Sequence, residues 1–232
     1  MDFVKGMTFG AFASRGSLKR KDAKSSLDNL KLRTGSDTIV LVPNGLQENA
    51  HTETIFYDTK ATLSDDELTE FISYVHEIGM KVFLKPTVNC MDGTWRAHIN
   101  FFDKEVHCEP KWRNWFASYT AFQMHFAKLA EKTGCEMFIA GCEMVQTERR
   151  SDEWRALISD LREVYDGPIS YNTDKYQEDN VSWWDAVDVI SSSGYYPLND
   201  WKKELDRIEM VVRKFGKPFF FAEAGCMSTK GS

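Results

Sequence analysis

Two glutamates, Glu143 and Glu223, each follow a short apolar run that is typical of a buried parallel strand. The two runs are residues 137–142 and 218–222. In a (β/α) barrel the C-terminal ends of the strands form the mouth where active sites lie. Two carboxylates that meet there would suit retaining hydrolysis of a glycosidic bond, with one group as acid/base and the other as nucleophile.

The elements that must carry these glutamates follow a repeated local order. An amphipathic helical segment, a glycine and an apolar strand recur along the chain, and the glycines are Gly35, Gly79, Gly134, Gly167 and Gly216. Glycine readily adopts the left-handed conformation that ends a helix. Repetition of this order predicts serial βα units and a parallel sheet.

The pattern predicts seven strands separated by amphipathic helices. The strands are residues 5–12, 38–42, 81–88, 137–143, 169–172, 189–193 and 218–223. The clearest helix start is at Ser64, which matches a capping box with Glu67, while Leu63 and Leu68 match a hydrophobic staple. In the following helix, Gln123 is the one polar residue of the inner stripe.

Alternating strands and helices leave two architectures, a doubly wound open sheet and a (β/α)8 barrel. Neither a GxGxxG motif nor a P-loop follows a strand, which disfavours the nucleotide-binding forms of the open sheet. We therefore predict an α/β fold, a (β/α)8 TIM barrel truncated after the seventh strand, since a complete barrel needs about 250 residues. Residues 1–232 would form a single catalytic barrel domain whose C-terminal unit is missing.

Composition excludes several classes of protein. The chain is 42% hydrophobic and 28% charged, which is globular, and its net charge of −6 gives no basic face for nucleic acid. No apolar run approaches the ~20 residues of a membrane span. Five scattered cysteines without a CxxC spacing disfavour zinc and a disulfide framework. We expect no cofactor, metal or membrane partner, and a cytoplasmic monomer, or a secreted protein if a signal peptide has been removed.

Five motifs, in this order along the chain, resemble glycoside hydrolase family 113. They are Lys85-Pro86-Thr87-Val88-Asn89, Asp92-Gly93-Thr94-Trp95-Arg96, Gly141-Cys142-Glu143-Met144, Gly194-Tyr195-Tyr196-Pro197 and Phe221-Ala222-Glu223-Ala224-Gly225. The resemblance extends from the first predicted strand to the seventh. It implies a retaining (β/α)8 hydrolase with β-1,4-mannanase activity, whose substrate is β-mannan or manno-oligosaccharide.

The resemblance also implies roles for single residues. Glu143, after the fourth strand, would be the acid/base, and Glu223, at the end of the seventh, the nucleophile. Tyr195 would resemble the tyrosine that hydrogen-bonds the nucleophile. An arginine or a tyrosine hydroxyl would keep Glu223 ionised, and apolar or carboxylate neighbours would raise the pKa of Glu143. The chain departs from the clan's pattern at Cys142, where most members have an asparagine that contacts the sugar 2-hydroxyl.

The candidate substrate-binding residues are Tyr195, Trp95, Arg96, Lys85, Asn89 and Asn172. Trp95 is either a sugar platform or a loop anchor, and Arg96 either donates to sugar hydroxyls or pairs with Asp92. Lys85 and Asn89 either reach a sugar at the −1 subsite or form a buried, hydrogen-bonded polar pair. Asn172 likewise either contacts the sugar or is a buried polar group.

Other notable residues are assigned to structural roles. Glu148, in the polar segment Thr147-Glu148-Arg149-Arg150, is predicted to be a surface charge or a helix-start residue. Four tryptophans are predicted to lie in the core, and Trp201 begins a helix near the mouth; the four are Trp112, Trp115, Trp183 and Trp184. The histidines match no metal-ligand spacing; those considered are His98, His107 and His125.

Two rival functions stay open on the sequence alone. A related clan hydrolase would act on β-glucan or xylan, whose sugars carry an equatorial 2-hydroxyl, and Cys142 disfavours this alternative. A non-catalytic carbohydrate-binding fragment would bind oligosaccharide through its aromatic residues without releasing sugar. The missing eighth strand motivates this second alternative.

Overall fold

The computed structural model describes residues 3–226 of the chain. Its strands are β1 Gly6–Phe9, β2 Thr38–Leu41, β3 Asn44–Gln47, β4 Lys81–Leu84, β5 Thr87–Cys90, β6 Met137–Cys142, β7 Ile169–Thr173, β8 Val189–Gly194 and β9 Phe219–Ala224. Its α-helices are α1 Lys21–Thr34, α2 Asp65–Glu77, α3 Trp112–Thr133, α4 Ser151–Arg162 and α5 Trp201–Phe215. None of the helices described is long and apolar enough to cross a membrane.

Seven strands form one parallel sheet in the order β1-β2-β4-β6-β7-β8-β9. An α-helix lies in each connection except that from β7 to β8, which contains the short 3-10 turn Trp184–Ala186. The sheet curves into a nearly closed barrel with the helices outside, so the predicted truncated TIM barrel is confirmed. Along the edges of β1 and β9 lies an open groove of about 880 Å³.

The start of α2 confirms the predicted capping box. The hydroxyl of Ser64 accepts the Glu67 N–H at 3.3 Å, and the Glu67 carboxylate accepts the Ser64 N–H at 3.0 Å. The same carboxylate also accepts the N–H groups of Gly16 and Leu18, at 3.0 and 3.1 Å. The cap of α2 therefore also anchors the connection between β1 and α1.

The predicted glycine signal holds at most of its positions. Gly35, Gly134 and Gly216 end α1, α3 and α5 in the left-handed conformation. The prediction is wrong for Gly167, because α4 already ends at Arg162. Gly167 instead lies against the ring of Tyr165, where a Cβ would come within 2.5 Å of the ring carbon Cζ.

The predicted third strand, residues 81–88, is interrupted and forms two strands, β4 and β5. Pro86 lies in the gap, and Pro43 lies in the matching gap between β2 and β3. Proline has no N–H to donate, so each strand lacks one backbone donor here, although the N–H groups of Lys85 and Thr87 still donate to the carbonyls of Leu41 and Pro43 at 2.8 and 3.0 Å. The pairing register is the same on both sides of the gap, so β3 and β5 continue the barrel wall beyond its mouth.

The interior of the barrel changes from apolar to polar along its axis. The apolar layer consists of Val40, Val42, Phe83, Met137, Ile139, Val189, Phe220 and Ala222. Towards the C-terminal ends of the strands lie the buried side chains of Lys85, Asn172, Ser191 and Ser193. Buried polar groups are stable only when they are hydrogen-bonded. The polar layer must therefore form a network, and this network surrounds the two glutamates.

Candidate active site

Both strands that carry the glutamates contain a register irregularity just before them. The pairing of β6 with β7 shifts between Ile139 and Cys142, and the pairing of β8 with β9 shifts between Ser192 and Ser193. An irregularity of this kind, a β-bulge, adds a residue to one strand and redirects the side chains that follow. The bulges therefore allow Glu143 and Glu223 to face the mouth although apolar side chains fill the barrel below them.

Gly141 makes the first of these bulges possible. Its φ is 130°, a conformation that is essentially restricted to glycine. It also lies against a buried aromatic wall, because a Cβ at this position would be 2.5 Å from the hydroxyl oxygen of Tyr119 and 3.3 Å from the ring of Trp154. A side chain here would push the backbone that leads to Glu143.

Glu223 is held by hydrogen-bond donors on several sides. One carboxylate oxygen, Oε1, accepts from the ammonium of Lys85 and from the thiol of Cys142, the latter at 3.3 Å. The other accepts from the hydroxyl of Tyr195 at 2.9 Å. Burial favours the neutral acid, but the charge and hydrogen bond of Lys85, together with Tyr195, hold the pKa of Glu223 below its ordinary value. The expected tyrosine is present, whereas the cation is a lysine and not an arginine.

Lys85 is the buried cation of the site. Its side chain is 1% exposed and that of Glu223 is 22% exposed. The ammonium also donates to Oδ1 of Asn172 at 3.1 Å. Asn172 is in turn fixed by its own amide, which donates to the Ser193 hydroxyl at 3.1 Å. A charge this deeply buried requires such partners, so Lys85, Asn172 and Ser193 act as one network.

Asn89 does not form the pair with Lys85 that one interpretation predicted. Its amide nitrogen donates to Asn44 at 2.9 Å, and its oxygen accepts from Arg96 at 2.8 Å. Lys85 points into the barrel towards Glu223 instead. The contact of Lys85 and Asn89 with a sugar stays a prediction.

Glu143 accepts hydrogen bonds from three side chains. The donors are Ser193 at 2.8 Å, Arg96 at 3.1 Å and Trp95 at 3.3 Å. Apolar or carboxylate neighbours were expected, and the three hydrogen-bonding neighbours are instead polar and include a guanidinium. The expected carboxylate neighbour is present in Asp174: burial, with the charge of Glu143 second, raises the pKa of Asp174 to about 6.

Arg96 is oriented by acceptors other than the one predicted. Its Nε donates to the Val88 carbonyl at 3.0 Å, and the rest of its guanidinium bonds Asn89 and Glu143. The alternative pairing with Asp92 is wrong, because that carboxylate accepts from the backbone and hydroxyl of Thr94. The residue before it, Trp95, is 44% exposed, so a large part of its side chain is open to solvent at the mouth.

Cys142 precedes the candidate acid/base Glu143 directly. The side chain is buried, and burial raises the pKa of its thiol to about 12. The thiol is therefore protonated at neutral pH. It acts as a weak donor to Glu223 and is 3.6 Å from the side-chain oxygen of Asn172.

The sequence missed Glu148, which is buried rather than exposed. Its side chain accepts from the hydroxyls of Tyr171 and Thr173, both at 2.7 Å. Burial raises the pKa of this carboxyl to about 8. The polar residues around Glu148 in the sequence suggested a surface segment. Its two donors, Tyr171 and Thr173, lie on β7, more than 20 residues further along the chain.

The aromatic predictions are confirmed for the core. Four tryptophans are buried: Trp112, Trp115, Trp183 and Trp184. Trp201 begins α5, as predicted, and packs edge-on against Phe221, with ring centroids 5.4 Å apart. Among residues 3–226, no group of three or more His, Cys, Asp or Glu side chains is placed to hold a metal ion.

Two carboxylates, each held by several hydrogen-bond donors, lie at the mouth of the (β/α) barrel. The family model of Glycoside Hydrolase Family 113 matches residues 7–232. The chain belongs to glycoside hydrolase family 113. The predicted resemblance is therefore confirmed, and the protein is a glycoside hydrolase.

Solved structures of family 113 members are similar over the whole chain. A structure described as a complex of a family 113 β-1,4-mannanase is 56% identical, with a TM-score of 0.98, over 100% of this chain and 75% of that one. The family 113 β-mannanase AaManA from Alicyclobacillus acidocaldarius, in complex with ManMIm, is 40% identical, with a TM-score of 0.95, over 100% of this chain and 74% of its own.

More distant structures share only the fold. The exo-β-1,4-mannosidase Op5Man5 from Opitutaceae bacterium strain TAV5 is 15% identical, with a TM-score of 0.63, over 99% of this chain and 47% of that one. A search of curated proteins gave no match.

Proposed function

We propose that this family 113 member hydrolyses β-1,4-mannosidic bonds in mannan or manno-oligosaccharides, with retention of configuration by double displacement. The observation that carries the mechanism is the environment of Glu223, which lowers its pKa through Lys85 and Tyr195. A nucleophilic carboxylate must be ionised before it can attack. The solved relatives at 56% and 40% identity, both described as mannanases, support the substrate class.

In the first step, an oxygen of Glu223 bonds to the anomeric carbon while the bond from that carbon to the leaving oxygen breaks. Glu143 gives its proton to that oxygen. The products are a glycosyl-enzyme ester and a shortened oligosaccharide. Lys85 and Tyr195 hold Glu223 in place for the attack. They continue to donate hydrogen bonds to it as its negative charge decreases.

In the second step, the ionised Glu143 takes a proton from water as the water oxygen bonds to the anomeric carbon and the ester bond breaks. Arg96 stabilises this ionised state, because its guanidinium contacts the carboxylate. Ser193 and Trp95 donate to the same carboxylate, so its position is set before substrate binds. Each cycle restores both glutamates to their starting protonation states.

The exposure of Trp95, together with its hydrogen bond to Glu143, supports a role as a sugar platform beside the acid/base. Exposed aromatic rings at the mouth of a barrel offer the flat apolar surface on which a sugar ring stacks. The buried thiol of Cys142, in place of the usual asparagine, supports a sugar with an axial 2-hydroxyl. We propose that Asn89 and Asn172 complete the polar surroundings of the −1 subsite.

The first experiment is hydrolysis of mannohexaose by the wild type and Glu223→Ala, with cellohexaose and xylohexaose as matched substrates. We expect short manno-oligosaccharides from the wild type only, and none from the other two hexasaccharides. Preferential cleavage of cellohexaose or xylohexaose would replace the proposed substrate. Binding without products from any of the three, with the protein folded, would favour the non-catalytic alternative.

The division of roles is tested by leaving-group ability. Glu143→Ala should lose far more activity on mannohexaose than on a 2,4-dinitrophenyl β-mannobioside, because an activated leaving group needs no proton. Glu223→Ala should fail on both substrates. Equal losses in Glu143→Ala would contradict its assignment as acid/base.

We also propose that the protein works in a reducing compartment such as the cytoplasm. The support is that Cys90, Cys108, Cys135, Cys142 and Cys226 are all free. Thiol titration of the unfolded protein purified from its source cells should find five thiols, and a smaller number would point to an oxidising compartment.

A further inference from the structure

The backbone of Glu143 is in an unusual conformation. Its φ is 53°, in the left-handed region that non-glycine residues rarely adopt. Such a conformation costs free energy and persists only when its surroundings hold it. The proposed acid/base therefore depends on whatever contacts keep this residue in place.

Two hydrogen bonds hold the peptide groups around Glu143, and both acceptors lie on β7. The N–H of Glu143 donates to the carbonyl of Asn172 at 2.7 Å. The N–H of the next residue, Met144, donates to the hydroxyl oxygen of Tyr171 at 3.1 Å. Because Met144 and Tyr171 are fully buried, water cannot replace the second bond.

The hydroxyl of Tyr171 can accept from Met144 in this way because its own proton is engaged elsewhere. It donates to Oε1 of Glu148 at 2.7 Å, and a hydroxyl has only one proton to give. Glu148 is itself fixed, since the same oxygen accepts from Thr173 at 2.7 Å and its carbonyl accepts from the Trp183 indole at 2.9 Å.

These contacts tie both ends of one short segment to β7. Glu143 and Met144 begin the segment and Glu148 ends it, and the ring of Tyr171 lies between the two ends. Glu148 is 3% exposed, and its carboxyl has no cationic partner among its hydrogen-bond donors. A buried carboxyl in such surroundings is costly for stability, which argues that it serves a purpose other than stability.

We propose that Tyr171 and Glu148 are positioning residues that hold Glu143 in its left-handed conformation and so set how it delivers its proton. The inference rests on the proposed role of Glu143 as acid/base. Loss of the Tyr171 hydroxyl would leave the Met144 N–H buried and unpaired, and the segment would relax. A displacement of about 1 Å at a catalytic group can reduce the rate by about 100-fold.

The test compares Tyr171→Phe with Tyr165→Phe on mannohexaose and on 2,4-dinitrophenyl β-mannobioside. Tyr165 is the matched control, because its buried hydroxyl also makes one 2.7 Å hydrogen bond, to the carbonyl of Cys135 beyond the opposite end of β6. We expect Tyr171→Phe to lower kcat/KM about tenfold or more on mannohexaose, where the proton is needed, and less than about twofold on the activated substrate. Tyr165→Phe should leave the ratio of the two substrates unchanged.

Variants of Glu148 test the second member of the pair. Glu148→Gln keeps an oxygen that can accept from Tyr171 and Thr173, so its substrate ratio should match that of the wild type. Glu148→Ala removes the acceptor and should shift the ratio in the same direction as Tyr171→Phe. These two variants also keep the proposal testable if Tyr171→Phe does not fold.

Equal losses on both substrates in Tyr171→Phe and Glu148→Ala, or no loss in either, would overturn the proposal. Glu143→Ala measured alongside separates the two possible failures. If it loses activity selectively on mannohexaose while the positioning variants do not, the positioning role alone is wrong. If it too shows no selectivity, the proposed role of Glu143 is wrong.

Discussion

Gly141→Ala should weaken the fold and slow the enzyme together, because this glycine forms the bulge before Glu143. The backbone has a φ of 130°, and the added Cβ would be 2.5 Å from the Tyr119 hydroxyl oxygen, 3.2 Å from the Tyr171 ring and 3.3 Å from Trp154. These rings pack against one another, with centroids 5.6 Å and 4.8 Å from that of Trp154. They therefore have little freedom to move aside.

Two costs contribute to the expected loss of stability in Gly141→Ala. The unfavourable backbone conformation costs about 1–3 kcal/mol, and overpacking of the aromatic wall costs about 1–3 kcal/mol more. The sum, about 2–6 kcal/mol, is a large part of the roughly 5–15 kcal/mol that stabilises a typical domain. At about 2–4 °C for each kcal/mol, the melting temperature should fall by roughly 4–24 °C.

Gly79→Ala is the control for a glycine with positive φ and free space around it, so Gly141→Ala should lose more stability both through its more restricted backbone and through overpacking. Gly79 has a φ of 73° but no atom within 4 Å of the added Cβ, so only the backbone cost applies. The entropy that alanine removes from the unfolded chain is common to both variants and cancels in the comparison. Urea unfolding of both variants gives the difference in free energy, and kcat/KM on mannohexaose reports the effect on Glu143. The reasoning would be refuted if the two variants lost equal stability, within about 0.5 kcal/mol.

Three further predictions concern single side chains. Lys85→Met removes the main cause of the low pKa of Glu223. The acidic limb of the pH profile of kcat/KM should therefore move to higher pH. If this limb does not move, Lys85 does not keep Glu223 ionised. In the wild type, Glu148 has a folded-state pKa of about 8, above its unfolded value of about 4, so it binds its proton more tightly when folded. As pH rises from about 4 to about 8, the free energy of unfolding of the wild type should therefore decrease relative to that of Glu148→Gln, by at most about 1.4 kcal/mol per pH unit. Urea unfolding of both proteins at pH 5 and pH 8 measures this difference. Ser64→Ala should destabilise by about 1 kcal/mol through loss of the cap of α2, with kcat/KM unchanged.

The fold was largely predictable because its signals are local. The Ser64 capping box, the glycines after α1, α3 and α5, and the apolar runs before the two glutamates each act within a few residues. The interruption at Pro86 was missed because residues 81–88 have a strand composition, and the effect of a proline depends on which neighbour its missing N–H would have faced.

The site was predictable in its positions but not in its pairings. The two glutamates and Tyr195 were found from strand ends and motifs, and the hydrogen bond from Tyr195 to Glu223 is present. The partner of Arg96 was open because Asp92 is near in sequence, whereas Glu143 is brought beside it only by the fold. The burial of Glu148 was missed for the same reason, since its donors come from another strand.

The contact between Lys85 and Glu223 has a consequence for how the protein is made. The two residues are 138 positions apart. At roughly 5–20 residues per second, the lysine leaves the ribosome roughly 7–28 s before its counter-ion. During this interval the nascent chain cannot bury the lysine without leaving its charge unpaired, which is strongly unfavourable. The ion pair between Lys85 and Glu223 can therefore form only after β9 has left the ribosome, although Lys85 itself lies in the first half of the barrel.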